Sequence, residues 1–139
     1  MGEKLKDYKI NIKVRLAALW TSLMFCYIYG DYFELYVPGK TQGIIAGSSM
    51  LDSPVKLLTA SIVLLIPSLM IFASVLLKPS INKWLNIIVG SLMGLITLLV
   101  GLVSFSEWRI FYVIYAFVET IIAIFIVYQA WHWRKTTRG

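Results

Sequence analysis

Four apolar stretches, each about 20 residues long and joined by short connections, leave this 139-residue chain few ways to fold. They cover residues 14–36, 55–77, 84–104 and 110–131, and each is long enough in helical form to cross the hydrocarbon core of a bilayer. Hydrophobic residues make up 59% of the chain and charged residues only 14%, with a mean hydropathy of +0.78, which excludes an ordinary soluble domain. The connections are too short to hold a second domain. The expectation is therefore one membrane domain over residues 1–139, an all-α four-helix transmembrane bundle.

A net charge of +6 would suit nucleic acid, but the basic residues are not arranged for it. Lys4, Lys6, Lys9, Lys13 and Arg15 precede or open the first stretch, Lys78 and Lys83 bracket the second connection, and Arg134, Lys135 and Arg138 close the chain. A four-span path puts all ten on one side and leaves Lys40, Lys56 and Arg109 on the other. The positive-inside rule then places both termini in the cytoplasm, with the basic fringe against anionic headgroups and no nucleic-acid partner. A lone cysteine, Cys26, excludes thiol-pair redox chemistry. Bulky Phe25 before it argues against a lipoprotein cleavage site, so the first stretch reads as a retained membrane helix.

Along the chain, Pro38-Gly39 should stop the first helix, and Gly43, Gly47, Ser48 and Ser49 should make a flexible outer connection. Asp52-Ser53-Pro54 is a helix-start signal. Pro67 should kink the second span, and Ser80 is placed to cap the third. Gly90, Gly94 and Gly101, with Thr97 between them, form a small-residue face that admits close helix contact, either within the chain or between copies. Ser104 and Glu107 have capping-box spacing before the fourth span. Trp84, Trp108, Trp131 and Trp133 fall near the expected interfaces, where indole rings anchor helices.

Three acids lie inside the apolar stretches, and two of them, Asp31 and Glu119, stand out. A carboxylate at the centre of a membrane helix costs roughly 2.5–3.5 kcal/mol on insertion scales. Asp31 should lie roughly 8–10 Å outward of the midplane, Glu34 one turn further out and Glu119 near the midplane. Trp20, Met24, Tyr27, Asp31 and Glu34 recur at three- and four-residue steps, as do Trp108, Tyr112, Tyr115 and Glu119. Antiparallel placement would set Tyr115 level with Asp31 and Tyr27 level with Glu119. If those faces meet, they enclose an acidic pocket lined by aromatic rings and open to the outside. Such a pocket suits an organic cation, through charge and ring faces, and it suits a proton, because burial penalises a charged carboxyl group. The plainer alternative is that Tyr115 and Tyr27 hydrogen-bond the two acids and leave them inert. Two such bonds offset little of the cost of a buried charge, so binding is favoured for Asp31 and Glu119. For Glu34, neutralisation by Arg109 or Lys56 is favoured.

One histidine and one cysteine make no zinc or haem constellation, and no phosphate-binding glycine loop or activated serine is present, so neither a cofactor nor an enzyme is expected. Leu19-Trp20, Met24-Phe25, Tyr29-Gly30-Asp31, Pro38-Gly39, Ile66-Pro67, Met70-Ile71-Phe72, Asn82-Lys83-Trp84, Asn86-Ile87-Ile88, Glu119 and Ala130-Trp131-His132-Trp133 occur in that order. On these residues the chain resembles, over residues 13–133, an uncharacterised prokaryotic family of small four-span membrane proteins carried as a domain of unknown function. The resemblance implies a multi-pass protein of a prokaryotic cytoplasmic membrane, with Asp31 and Glu119 at acidic family positions and Glu34 and Cys26 peculiar to this chain. It implies no activity.

The leading expectation is a carrier or receptor for a small cationic or polar ligand, with proton coupling, through Asp31, Glu119, Tyr27, Tyr112, Tyr115 and Glu34. An oligomeric ion channel packed through Gly90, Gly94 and Gly101 is one alternative. A ligand-free accessory or lipid-binding protein is the other. The charge partition makes topology testable: a reporter fused after Gly139 should be cytoplasmic and a tag inserted near Gly43 should be labelled on intact cells. Labelling of that tag only after lysis would overturn the orientation.

Overall fold

A computed structural model describes residues 8–134, and every regular element among them is helical. Lys4, Lys6, Lys135 and Arg138 of the basic fringe lie outside the described residues. Helix α1 spans Ile12–Glu34, the short α2 Lys40–Ile45, α3 Pro54–Leu76, α4 Pro79–Val103 and α5 Ile110–Trp131, the last preceded by a 3₁₀ turn at Glu107–Arg109. Apart from α2, all are long and apolar enough to cross a membrane. A helix satisfies its own backbone hydrogen bonds, as hydrocarbon requires, so four apolar runs become four crossing helices.

The helix ends follow from local chemistry. Asn11 caps α1 by accepting from the Lys13 amide at 2.9 Å, and Ser53 caps α3 by accepting from the Lys56 amide at 3.3 Å with Pro54 in the first turn. Gly39 adopts φ +80°, the left-handed turn that separates α1 from α2, an element with no apolar periodicity to announce it. Two expected caps do not form. Pro79 opens α4 with Lys78 at the cap position, so Ser80 lies inside the helix. Ser104 ends α4 and lies buried there, so it forms no capping box with Glu107. Pro67 sits buried inside α3 and does not end it.

The four long helices run up and down. Lys13 at the start of α1 donates to the terminal carbonyls of α3, Val75 at 3.1 Å and Leu77 at 2.7 Å, and Lys83 at the start of α4 donates to Trp131 O at the end of α5, at 3.0 Å. Both lysines satisfy carbonyls that a helix C-terminus leaves unpaired. Around the bundle the order is α3, α1, α5, α4, with α4–α5 the most extensive interface and α3–α4 the smallest of these helix–helix contacts.

The glycine face of α4 packs on α5 of the same chain. A Cβ at Gly101 would lie 2.9 Å from Ala116 Cβ, one at Gly94 3.0 Å from Ala123 Cβ, and one at Gly90 3.1 Å from Val127. Even a methyl group there would press the helices apart, which is why small residues supply the contact that a hydrophobic drive cannot supply in lipid.

Near the chain termini the bundle is tied by a buried polar cluster. Asn86 Oδ1 accepts from Trp20 Nε1 at 2.7 Å and from Ser74 Oγ at 3.3 Å, while Asn86 Nδ2 donates to Asn82 Oδ1 at 2.7 Å. Asn82 Nδ2 donates in turn to Ser74 O. These four residues come from α1, α3 and α4 and are wholly buried. The cluster also explains why α4 begins five residues before position 84: Asn82 and Asn86 read as polar in sequence yet belong to the core. Hydrogen bonds between membrane helices average only about 0.6 kcal/mol. Asn86→Leu, however, strands several buried partners at once, so we expect a loss of about 1–3 kcal/mol. Melting of the purified variant unchanged from wild type would contradict that role.

Candidate functional site

Toward the end that carries α2, the bundle is looser. Residues 54–66 of α3 include none that is buried, whereas Pro67, Met70 and Ser74 further along are. The four long helices there enclose a cavity of about 200 Å³. Helix α1 contributes Tyr27, Gly30 and Asp31, and α5 contributes Tyr112, Tyr115 and Glu119. Helix α4 adds Met93, Ile96, Thr97 and Val100, while α3 adds only Val63 and Leu64. The walls are mainly apolar and the polar groups are few.

Glu119 is 7% exposed and has no hydrogen-bond or ion-pair partner among the described residues. Tyr27, 8% exposed, carries a buried hydroxyl that likewise finds no partner. The Tyr27–Glu119 hydrogen bond of the plainer alternative is therefore not made, although both residues line the same cavity. Thr97 bonds to Thr120 at 3.2 Å and to Gly94 O at 3.1 Å, holding α4 and α5 together beside Glu119.

Asp31 sits differently from the expectation. The buried stripe of α1 is Leu16, Trp20, Leu23, Tyr27, Gly30 and Glu34. At about 100° per residue, Asp31 is rotated about 40° from Tyr27, toward the side where Met24 accepts from Ser68 of α3 at 3.6 Å. It lies exposed at the cavity's rim rather than facing α5 squarely. Its contact is also not Tyr115: Tyr112 Oη donates to Asp31 Oδ1 at a long 3.5 Å. Tyr112 stands two turns from Glu119 and shares its direction to within about 20°, while Tyr115 is turned about 40° toward α1, where it packs by Gly30.

Glu34 does not line the cavity. Its carboxylate takes Lys40 at 2.8 Å and Arg109 at 3.0 Å and 3.2 Å, joining the end of α1 to α2 and to the start of α5. The Arg109 guanidinium also lies 5.2 Å from the centre of the Tyr112 ring. Lys56 pairs instead with Asp52 at 2.7 Å. Lys40, Lys56 and Arg109 are thus engaged by Glu34 and Asp52, and among the described residues neither Asp31 nor Glu119 pairs with a cation. Both acids are conspicuous in the sequence, whereas the lining residues Thr97, Met93, Ile96 and Val100 are not. Thr97 was visible only as part of the glycine face, and aliphatic walls carry no signal of their own.

A family described as of unknown function, DUF6326, has a model that matches residues 3–139. No curated protein and no solved structure matches the chain.

A buried charge without a partner destabilises the fold that holds it. Glu119→Gln keeps the shape and a hydrogen-bonding amide, so the variant should fold and melt at or above the wild-type temperature. Loss of folded protein would assign Glu119 a structural role.

Proposed function

We propose, for a chain that belongs to the DUF6326 family, that it binds a small organic cation inside the membrane and serves as a carrier or receptor rather than an enzyme. The cavity lies on the non-cytoplasmic side of a prokaryotic cytoplasmic membrane in this reading. The observation that carries it is the pairing of a partnerless buried carboxylate, Glu119, with a partnerless buried hydroxyl, Tyr27, on one cavity. An ammonium or guanidinium group there would gain the Glu119 charge, a hydrogen bond to Tyr27 Oη and the ring faces of Tyr112 and Tyr115, worth roughly 0.5–2 kcal/mol per ring when desolvated. Asp31 at the rim would draw cations in. Proton exchange at the same carboxylate would couple binding to a proton gradient.

The rival readings draw less support. The glycines through which copies would pack into a channel already pack on α5 of the same chain, and Gly90 and Gly94 reach the surface only along an α4–α5 groove. A ligand-free accessory role leaves the two partnerless groups without a purpose.

Thermal-shift measurement on the purified protein separates these. Tetramethylammonium and guanidinium should raise the melting temperature, by an amount equivalent to about 2.7 kcal/mol at a hundredfold excess over Kd. Acetate should not, and the effect should vanish in Glu119→Gln and weaken in Asp31→Asn. Stabilisation mainly by neutral lipids or sterols, unchanged in both variants, would overturn the cation reading and put a lipid-binding accessory role in its place.

A further inference from the structure

We propose that the natural ligand is a cationic amphiphile, an amine with an alkyl tail, whose head sits by Glu119 and whose tail leaves the cavity sideways along the first half of α3. The inference rests on the cation reading above and names the class of cation.

Three observations carry it. The cavity, about 200 Å³, is smaller than the roughly 300–1,000 Å³ of pockets that enclose drug-sized ligands, so it holds a headgroup and little more. Its weakest wall is the α3 side. Helix α3 supplies only Val63 and Leu64, none of its residues 54–66 is fully buried, and its interface with α4 is the smallest of the bundle's helix–helix contacts. Finally, the groups that flank this opening change character with depth. Glu119 and Tyr27 lie within, Asp31 sits at the α1 edge, and Ile96 and Val100 of α4 share the lining with Val63 and Leu64 of α3. From Val63 the α3 segment continues about 14 Å toward α2, enough to run beside an eight-carbon chain. A molecule matching this surface has a positive head and an apolar tail, and it approaches from the bilayer, not from water.

The test measures binding of n-alkylammonium ions, methyl through octyl, to the full-length protein in lipid nanodiscs, with empty nanodiscs subtracted. Ala60 is partly exposed one turn from Val63 and Leu64 and outside the cavity lining, so Ala60→Trp narrows the opening while leaving the headgroup site alone. Ala60→Leu does so with less bulk should the tryptophan variant fail to fold. In the wild type, affinity referred to aqueous concentration should rise by about fourfold per methylene. The octyl-to-methyl ratio should fall at least tenfold in the Ala60 variant, with methylammonium binding unchanged. Methylammonium binding with no chain-length dependence, or with a dependence that the Ala60 variants leave intact, overturns the sideways tail and spares the cation site. Failure of every member of the series to bind overturns both.

Discussion

Asn86 is the point on which the bundle turns. Its side chain uses both polar ends, accepting from Trp20 of α1 and Ser74 of α3 and donating to Asn82 one turn away. In lipid, apolar surface gives helices no reason to prefer one another over the surrounding tails, so directional contacts and close packing decide which helices meet. The Asn86 cluster holds three of them at one end. Among the described residues no side-chain hydrogen bond ties residues 54–66 of α3 to another long helix, and a cavity remains there. Polar groups in the tied half satisfy one another; Glu119 and Tyr27 in the open half do not.

The second constraint is the α4–α5 seam. Gly101 against Ala116 and Gly94 against Ala123 bracket Glu119 on either side, so the close approach sets the rotation of α5 about its own axis. That rotation turns Glu119 and Tyr112 inward together, because they stand two turns apart, and leaves Phe117 and Ile124 facing lipid. A bulkier seam would hold α5 at another rotation and distance, and the carboxylate would move with it.

Charge is compensated unevenly. Lys40, Lys56 and Arg109 are all engaged by Glu34 and Asp52 near the surface, where partners and water make ion pairs inexpensive. Among the described residues neither Glu119, in the interior, nor Asp31, at the rim, has a counterion. A fold that carries a buried carboxylate without a counterion bears a standing cost.

The number, order and approximate length of the long helices were legible in the sequence, because twenty apolar residues admit little else in a bilayer, and Ser53-Pro54 and the Pro38-Gly39 turn marked ends through local hydrogen bonding alone. Asp31 and Glu119 were legible as candidates for the same reason: an acid in an apolar run is conspicuous. The sequence did not reveal that Asn82 and Asn86 are core residues, that Asp31 lies on the rim, or that Tyr112 and not Tyr115 reaches it. A helix advances about 100° per residue, so a face inferred from three- and four-residue steps is uncertain by about 40°. That angle separates the interior from the rim. Tertiary structure removed the ambiguity, through small residues that let α4 and α5 touch and a buried asparagine that binds α1, α3 and α4, because contacts between distant parts of the chain are what set each helix's rotation and tilt.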